Sequence, residues 1–227
     1  QPHALENYNL YASDVALREA VRREGAAFAD AALAEFGQLT GSADVIQWGF
    51  QANRQRPEFR SHDRYGRRID EVEFHPAYHQ LMETSIAHGI HSIPWTDNRS
   101  GSNVHRAALF YLMAQVEAGH GCPVTMTFAA IPTLRKQPDI AAQWEPLITN
   151  RHYDPRNIPS LQKTGVTIGM AMTEKQGGSD VRANTTRALP LAQRGGGQPY
   201  ELIGHKYFVS APMCDAFLVL AQAEGGI

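Results

Sequence analysis

The chain has 227 residues, of which 43% are hydrophobic and 19% are charged, a composition typical of globular proteins that excludes a wholly disordered chain. Its formal net charge of −2 gives no whole-chain reason for binding nucleic acid or an acidic membrane surface, because counterion release requires clustered cations. No stretch approaches the roughly 18 uninterrupted apolar residues of a membrane span. The two cysteines, Cys122 and Cys214, follow no metal or redox spacing and predict free thiols in a reducing cytoplasm.

Apolar residues spaced three or four apart predict helices over most of the first 150 or so residues. The first predicted helix covers residues 15–36, with Ser13 or Asp14 as its cap and Gly37 as its stop. Further helices are predicted at residues 42–53, 76–87, 103–117, 124–136 and 140–147, the fifth of these six helices being broken or shifted at Pro132.

Six arginines lie between Arg54 and Arg68, where only Glu58 and Asp63 oppose them. Such a run is compatible with phosphate contact. It is equally typical of an exposed turn at residues 65–67 whose arginines pair with the acidic side chains that follow. The exposed turn is the favoured interpretation, because no aromatic stacking platform accompanies the charge.

His75 and His79 stand four residues apart and could face the same way on a helix, which is a spacing compatible with metal ligation. The sequence offers no evident third ligand. The favoured interpretation therefore places His75 at the entrance of a helix, and no metal site is predicted.

The pattern changes after Gln162, and the change predicts an α+β fold with a helical domain at 1–162 and a β-domain at 163–227. Strands are predicted at 166–173, 183–189, 200–210 and 216–222, with glycines 195–197 as a hairpin tip. The first of them alternates apolar and polar residues, as a strand with one buried face does. The last is nearly all apolar, so it is predicted to be central. Because little sequence follows it, we expect the chain to be the amino-terminal part of a longer protein.

A glycine-opened loop follows the first of these strands. Gly177 and Gly178 lack Cβ atoms, so the backbone can turn sharply and bring its N–H groups close to an anion or a flat ring. Ser179 adds a hydroxyl and Asp180 a carboxylate. The same residue types are ordinary in polar turns, and the residues by themselves leave the two interpretations open.

Residues 172–180 read MTEKQGGSD and resemble the flavin loop of the acyl-CoA dehydrogenase superfamily, whose usual form is Thr-Glu-Pro-x-Ala-Gly-Ser-Asp. Lys175 and Gln176 depart from that form, and this variant is similar to the AidB-type branch, the alkylation-response flavoproteins. Residues 204–210 read GHKYFVS and resemble the family strand that packs an aromatic ring and a hydroxyl beside the flavin. Phe208 replaces the usual tryptophan, as is common in the branch. Further segments, at 75–79, 114–119, 125–130 and 184–188, also resemble AidB-type sequence and follow one another in the order in which that branch has them.

The resemblance implies an N-terminal all-α domain, a middle β-barrel domain that is incomplete here, and a C-terminal helical domain that is absent from this chain. It also implies FAD. The cofactor-binding residues that it implies are Met170, Ala171, Met172, Thr173, Gly178, Ser179, Phe208, Val209 and Ser210.

Each part of this set has an implied role. Thr173 and the backbone of 170–179 would lie along the isoalloxazine, and Ser179 would reach the pyrophosphate. Phe208 would pack on the ring system, and Ser210 would point its hydroxyl toward flavin N5. Lys175 could place a positive charge over the flavin's edge or could simply be solvated, and both interpretations stay open.

Two functions follow from the resemblance. An ordinary acyl-CoA dehydrogenase removes the α-proton of a thioester with a carboxylate while a β-hydride passes to the flavin. The resemblance implies that this carboxylate belongs to a glutamate in the absent domain, so no catalytic residue can be named here. An AidB-type protein would instead protect DNA during alkylation stress, with weak dehydrogenation and a double-stranded DNA surface in the same absent domain. The motif at Lys175 favours the second function, and the resemblance implies a homotetramer in both.

Overall fold

The computed structural model describes residues 2–226, with helices in the first part and most strands in the last. The helices are α1 (Leu10–Ser13), α2 (Val15–Arg23), α3 (Asp30–Thr40), α4 (Ala43–Arg54), α5 (Pro76–Ala87), α6 (Ile93–Thr96), α7 (Ser102–Ala114), α8 (Gly121–Leu134) and α9 (Pro138–Ile148). The strands are β1 (Glu58–His62), β2 (Arg68–Glu73), β3 (Ile168–Ala171), β4 (Arg187–Pro190), β5 (Tyr200–Ile203) and β6 (Ala216–Val219). The predicted α+β class is confirmed. Within residues 2–226, none of these helices is both long and apolar enough to cross a bilayer.

The single helix predicted at 15–36 is wrong in two respects. The chain forms α2 and α3 instead, because Gly25 adopts a left-handed φ of 82° that ends α2. Gly37 does not stop a helix but lies buried inside α3, where a Cβ atom would approach Asn9 Oδ1 to 2.5 Å. The predicted cap is confirmed, since Asp14 accepts a hydrogen bond from the N–H of Leu17 at 2.8 Å.

The other predicted helices agree with the structure to within a few residues. Ser42 caps α4 by accepting the N–H of Val45, and His75 caps α5 by accepting the N–H of Ala77. The break predicted at Pro132 is wrong, because the proline lies in the last turn of α8 and the helix continues to Leu134.

Strands β1 and β2 form an antiparallel hairpin that the sequence did not predict, so the helical domain is not all-α. The predicted arginine–acid pairs exist: Arg60 contacts Glu73 at 3.0 Å, and Arg68 contacts Asp70 at 2.6 Å. One aromatic side chain does accompany the arginines. Tyr65 is exposed at the hairpin tip, with the guanidinium groups of its neighbours Arg64 and Arg67 lying 4.8 and 5.9 Å from its ring centroid.

The core has two parts. The larger part lies among the helices, and its most buried side chains include Leu33, Phe36, Leu81 and Leu112. The smaller part packs α8 and α9 against β3 through Ile131, Ile148, Val166 and Ile168. A buried bond joins the helices to the strands here, since Thr127 Oγ1 accepts the N–H of Ile168 at 3.0 Å.

Strand β3 pairs in parallel with β6, and β4 pairs antiparallel with β5 through the predicted glycine tip. Beyond β6, the chain reaches β4, because Ala188 N donates to Gln222 O at 2.8 Å. The single buried face predicted for β3 is wrong. Both faces are largely covered, since Gly169 leaves room for the Phe217 ring, which a Cβ atom would approach to 2.2 Å.

The strands predicted at 166–173, 183–189, 200–210 and 216–222 are all shorter or shifted. The largest error is at 200–210, where the strand ends at Ile203. Farther on, Phe208 and Ala211 adopt left-handed φ values of 57° and 56°, which no strand can contain.

Candidate functional site

Two segments carry the predicted flavin contacts: the loop segment (170–179) and the aromatic segment (204–210). The fold brings them together. Tyr207 N donates to Thr173 O at 3.0 Å, and Lys206 Nζ donates to Met172 O at 3.2 Å. The two segments therefore form one contiguous surface at the end of β3.

The loop segment turns tightly on its two glycines. Glu174 and Gly177 exchange backbone hydrogen bonds of 3.2 and 3.0 Å. A Cβ atom at Gly178 would lie 2.6 Å from Thr173 Oγ1, so only glycine fits this close approach. Gly178 and Ser179 are exposed residues, and their backbone N–H groups meet no acceptor within residues 2–226. Such donors and such a glycine cradle fit a phosphorylated cofactor with a flat ring.

The predicted site residues differ in exposure. Ala171 is buried in β3 and Met170 is half-buried, whereas Met172 and Ser179 are exposed. In the aromatic segment Val209 is half-buried and Ser210 is exposed, and Phe208 is 74% exposed. A left-handed φ is rare for a bulky residue and costs about 1–2 kcal/mol. The chain thus holds an exposed aromatic ring in a strained position beside the loop.

Glu174 is a residue whose role the sequence did not indicate. Its side chain is 1% exposed, and five donors converge on its carboxylate. Oε1 accepts from Lys206 Nζ at 3.0 Å and from Thr186 N at 2.9 Å. Oε2 accepts from Gln176 Nε2 at 2.8 Å and from the N–H and hydroxyl of Thr185 at 2.7 and 2.9 Å.

These bonds keep Glu174 ionised. Burial by itself raises the pKa of a carboxyl group, but the hydrogen bonds from Gln176, Thr185 and Thr186 outweigh burial and lower the pKa well below its usual range. The donors come from three separate parts of the chain, so no sequence spacing could have revealed them. In contrast, the side chain of Lys175 is exposed.

Two adjoining cavities open beside the aromatic segment, between the helices and the β-domain. The smaller, of about 180 Å³, is lined by Ser210 and by His75, Glu117 and Cys122. The larger, of about 240 Å³, reaches Lys163, Cys214 and Asp215. Both cavities are bounded by Phe74, Tyr78, Pro123 and Ala211.

The smaller cavity borders a buried hydrogen-bonded chain. Glu117 Oε2 lies 2.7 Å from His120 Nδ1, and His120 Nε2 lies 2.9 Å from Ser85 Oγ. Glu117 also accepts the N–H groups of Gly119 and His120 at 2.6 and 2.8 Å. These hydrogen bonds tie α5 to the start of α8. Because Ser85 is only 1% exposed, a substrate cannot reach its hydroxyl as a nucleophile. The i, i+3 spacing of Glu117 and His120 was the available sequence signal.

Several polar side chains line the larger cavity. Lys163 Nζ contacts Asp215 Oδ1 at 2.6 Å, and His79 Nδ1 lies 2.9 Å from the hydroxyl of Tyr153. Burial lowers the pKa of His79 and raises the pKa of the Cys214 thiol to about 11. Both cysteines are free thiols.

The two histidines considered for a metal have other partners. His75 caps a helix, and His79 bonds to Tyr153. Across residues 2–226 the structure contains no group of three or more histidine, cysteine, aspartate or glutamate side chains placed to hold a metal ion.

Comparison with known families identifies both parts of the chain. The model for the adaptive response protein AidB N-terminal domain matches residues 1–155, and the model for the acyl-CoA dehydrogenase middle domain matches residues 169–227. The whole chain is 51% identical over 230 aligned residues to the AidB protein of Escherichia coli (strain K12). The chain therefore belongs to the AidB-type branch of the acyl-CoA dehydrogenase superfamily.

This AidB-type chain is shorter than its relatives. It spans 42% of the length of the Escherichia coli protein. It is also 29% identical, over 84% of its length, to acyl-CoA dehydrogenase family member 11 of Caenorhabditis elegans, of which it covers 30%.

Solved structures share the fold of this AidB-type chain. The Bd2924 protein in its apo form superposes with a TM-score of 0.85 at 28% identity, covering all of this chain and 45% of that protein. Caenorhabditis elegans ACDH-11, solved in complex with C11-CoA, superposes with a TM-score of 0.83 at 26% identity, covering 98% of this chain and 37% of that one. The predicted acyl-CoA dehydrogenase-like fold is confirmed.

Proposed function

We propose that the protein is an FAD-binding flavoprotein of the AidB type that acts in the response to DNA alkylation, with weak or residual acyl-CoA dehydrogenase activity. The observation that carries the proposal is the meeting of the loop segment and the aromatic segment at the end of β3, held by the 3.0 Å bond between Tyr207 N and Thr173 O. The membership of the AidB-type branch supports the same proposal.

The residues proposed to hold FAD are Met170, Ala171, Met172, Thr173, Gly178, Ser179, Phe208, Val209 and Ser210. The free N–H groups of Gly178 and Ser179 suit a phosphate oxygen, and the exposed ring of Phe208 offers a face to a flat heterocycle. FAD, when bound, supplies a two-electron acceptor for substrate oxidation. In this chain, Ser210 would present a hydroxyl donor at the cavity wall.

Ordinary acyl-CoA dehydrogenation is the second candidate. The cavity of about 180 Å³ beside Ser210 favours it, because Phe74, Tyr78 and Pro123 give that cavity apolar walls suited to a short acyl chain. ACDH-11, which shares the fold, was solved with C11-CoA.

Further features belong to the same proposal. We propose a domain boundary near Gln162, a longer full-length protein that assembles as a homotetramer in the cytoplasm, and contact with double-stranded DNA through a domain outside this chain. The net charge of −2 is compatible with DNA contact outside this chain.

The visible spectrum of the full-length protein tests these functions, recorded anaerobically before and after addition of a branched short-chain acyl-CoA. We expect a flavin band that the thioester leaves largely unchanged. Prompt bleaching of the band would make dehydrogenation the primary function. A colourless protein that takes up no added FAD would overturn both candidates.

A further inference from the structure

Glu174 and Lys206 connect the two segments that carry the proposed flavin contacts. Lys206 precedes the turn at Phe208 by two residues, and Glu174 directly follows Thr173. Their side chains meet at 3.0 Å, with exposed fractions of 11% for Lys206 and 1% for Glu174. A shift of either partner therefore moves one segment relative to the other.

The rest of the network makes this connection rigid. Met172 O accepts from Lys206 Nζ at 3.2 Å and from Asn184 Nδ2 at 2.7 Å. Hydrogen bonds therefore hold both the backbone of the loop segment and the carboxylate of Glu174. A fully hydrogen-bonded carboxylate has one favoured position, because each broken bond would leave a buried polar group unpaired. Gln176 bonds to the same carboxylate from within the loop.

From this geometry we propose that Glu174 and Lys206 are a positioning pair that sets the distance between the loop segment and the aromatic segment and tunes the electrostatic field at the flavin. The inference rests on the proposed function and deepens it. Glu174 belongs to the loop segment and Lys206 to the aromatic segment, so the pair acts on the site through Thr173 and through the aromatic segment. Because the two charges are opposite, each partner offsets the effect of the other on electron uptake by a nearby ring.

The charges predict opposite consequences for the two substitutions. Lys206→Met leaves the buried carboxylate uncompensated, which disfavours adding electrons to the flavin and shifts its midpoint potential to more negative values. Glu174→Gln leaves the ammonium uncompensated and shifts the midpoint potential to more positive values. We expect each variant to raise the dissociation constant for FAD at least about tenfold, since both loosen the segments. A purely structural role would not separate the two variants by sign.

The experiment uses the full-length protein loaded with saturating FAD. The dissociation constant is measured by titrating apoprotein with FAD, and the midpoint potential by anaerobic spectroelectrochemistry. Lys163→Met is the matched control, because it breaks another buried lysine–carboxylate pair, 2.6 Å from Asp215, and neither of these residues belongs to the loop segment or the aromatic segment. We expect the control to lower thermal stability while its FAD dissociation constant and potential stay near those of the unmodified protein.

The outcomes separate the two proposals. Opposite shifts in potential, with the control unchanged, support the positioning pair. Shifts of the same sign, or an FAD affinity in Lys206→Met equal to that of the control, overturn it while leaving the flavoprotein function intact. A full-length protein that does not bind FAD before any substitution overturns the proposed function instead. Should Glu174→Gln fail to fold, a negative shift in potential and weaker FAD binding in Lys206→Met than in its control support the positioning pair, and a potential and FAD affinity equal to those of the control overturn it.

Discussion

At the residue scale, Glu117 holds a negative charge inside the helical part of the molecule. Burial acts to raise its pKa, but the bonds from the His120 side chain and from the N–H groups of His120 and Gly119 outweigh burial and lower it to about 2. A depressed pKa in the folded state stabilises the fold fully above the ordinary value of 4.5. This contribution is lost as the pH falls through about 2.

We expect Glu117→Gln to lower the free energy of unfolding by about 2 kcal/mol at neutral pH, because an amide cannot accept all the bonds that the carboxylate accepts. The deficit should shrink as the pH falls from about 5 toward 2. Denaturant unfolding of the full-length protein at several pH values measures both effects. Glu83→Gln, which removes an exposed carboxylate from α5, should change stability by less than about 0.5 kcal/mol. A deficit that is the same at every pH would contradict this account.

At the element scale, the parallel pairing of β3 with β6 depends on the missing side chain of Gly169. We expect Gly169→Val to destabilise the protein by about 1–3 kcal/mol, because its side chain would overlap the ring of Phe217. Thermal unfolding of the full-length protein measures the change. Gly196→Ala is the control, since its Cβ atom meets only the flexible end of Gln137 at 3.1 Å. Equal stability of the two variants would show that the two strands do not pack as described.

The elements also show which features the sequence could reveal. Helices with a good cap, such as those after Ser42 and His75, were predicted to within a few residues, because capping and periodicity are local properties. The β1–β2 hairpin was missed, because its residues are mostly exposed and so lack the alternation of a half-buried strand. The break at Gly25 was hidden by the alanine-rich sequence around it, which favours helix on both sides.

The sequence predicted the two motifs of the candidate site but not that they lie in contact. Resemblance located the loop segment and the aromatic segment, and the structure shows that they touch. Nothing in the sequence could reveal the left-handed backbone at Phe208, because that conformation is imposed by the surrounding fold. The cavities were equally hidden, since residues as distant in sequence as Phe74 and Ala211 line them together.

At the scale of the whole molecule, the helical and β parts meet through the apolar packing of α8 and α9 on β3 and through a few polar bonds. Thr127 Oγ1 joins them directly, because it donates to Pro123 O at 2.7 Å and accepts from Ile168 N at 3.0 Å. Two further hydrogen bonds reach the β1–β2 hairpin. The sulfur of Met213 accepts the N–H of Val72, and the side-chain amide of Asn157 donates to the carboxylate of Glu71.

We expect Thr127→Val to destabilise the junction by about 1–3 kcal/mol, because it leaves the buried N–H of Ile168 without an acceptor. The connecting segment 149–167 should then be cleaved faster by trypsin, which the rate of fragment appearance on a gel measures. Thr125→Val, on an exposed position of the same helix, should leave the rate unchanged. Faster cleavage in both variants would mean that the threonine bond does not hold the junction.

The convergence of five donors on Glu174 has a consequence for how this loop can evolve. Aspartate is too short to reach all five partners, and glutamine would turn an N–H group toward other N–H groups, so selection for a stable fold tolerates little variation at this position. The neighbouring Lys175 is exposed, and the fold places little restriction on its identity. The fold therefore permits a substitution at the position after the glutamate more readily than at the glutamate itself. Of the two residues that first marked this chain as AidB-type, Lys175 lies where the architecture permits change, whereas Gln176 is tied to the glutamate by a hydrogen bond of 2.8 Å.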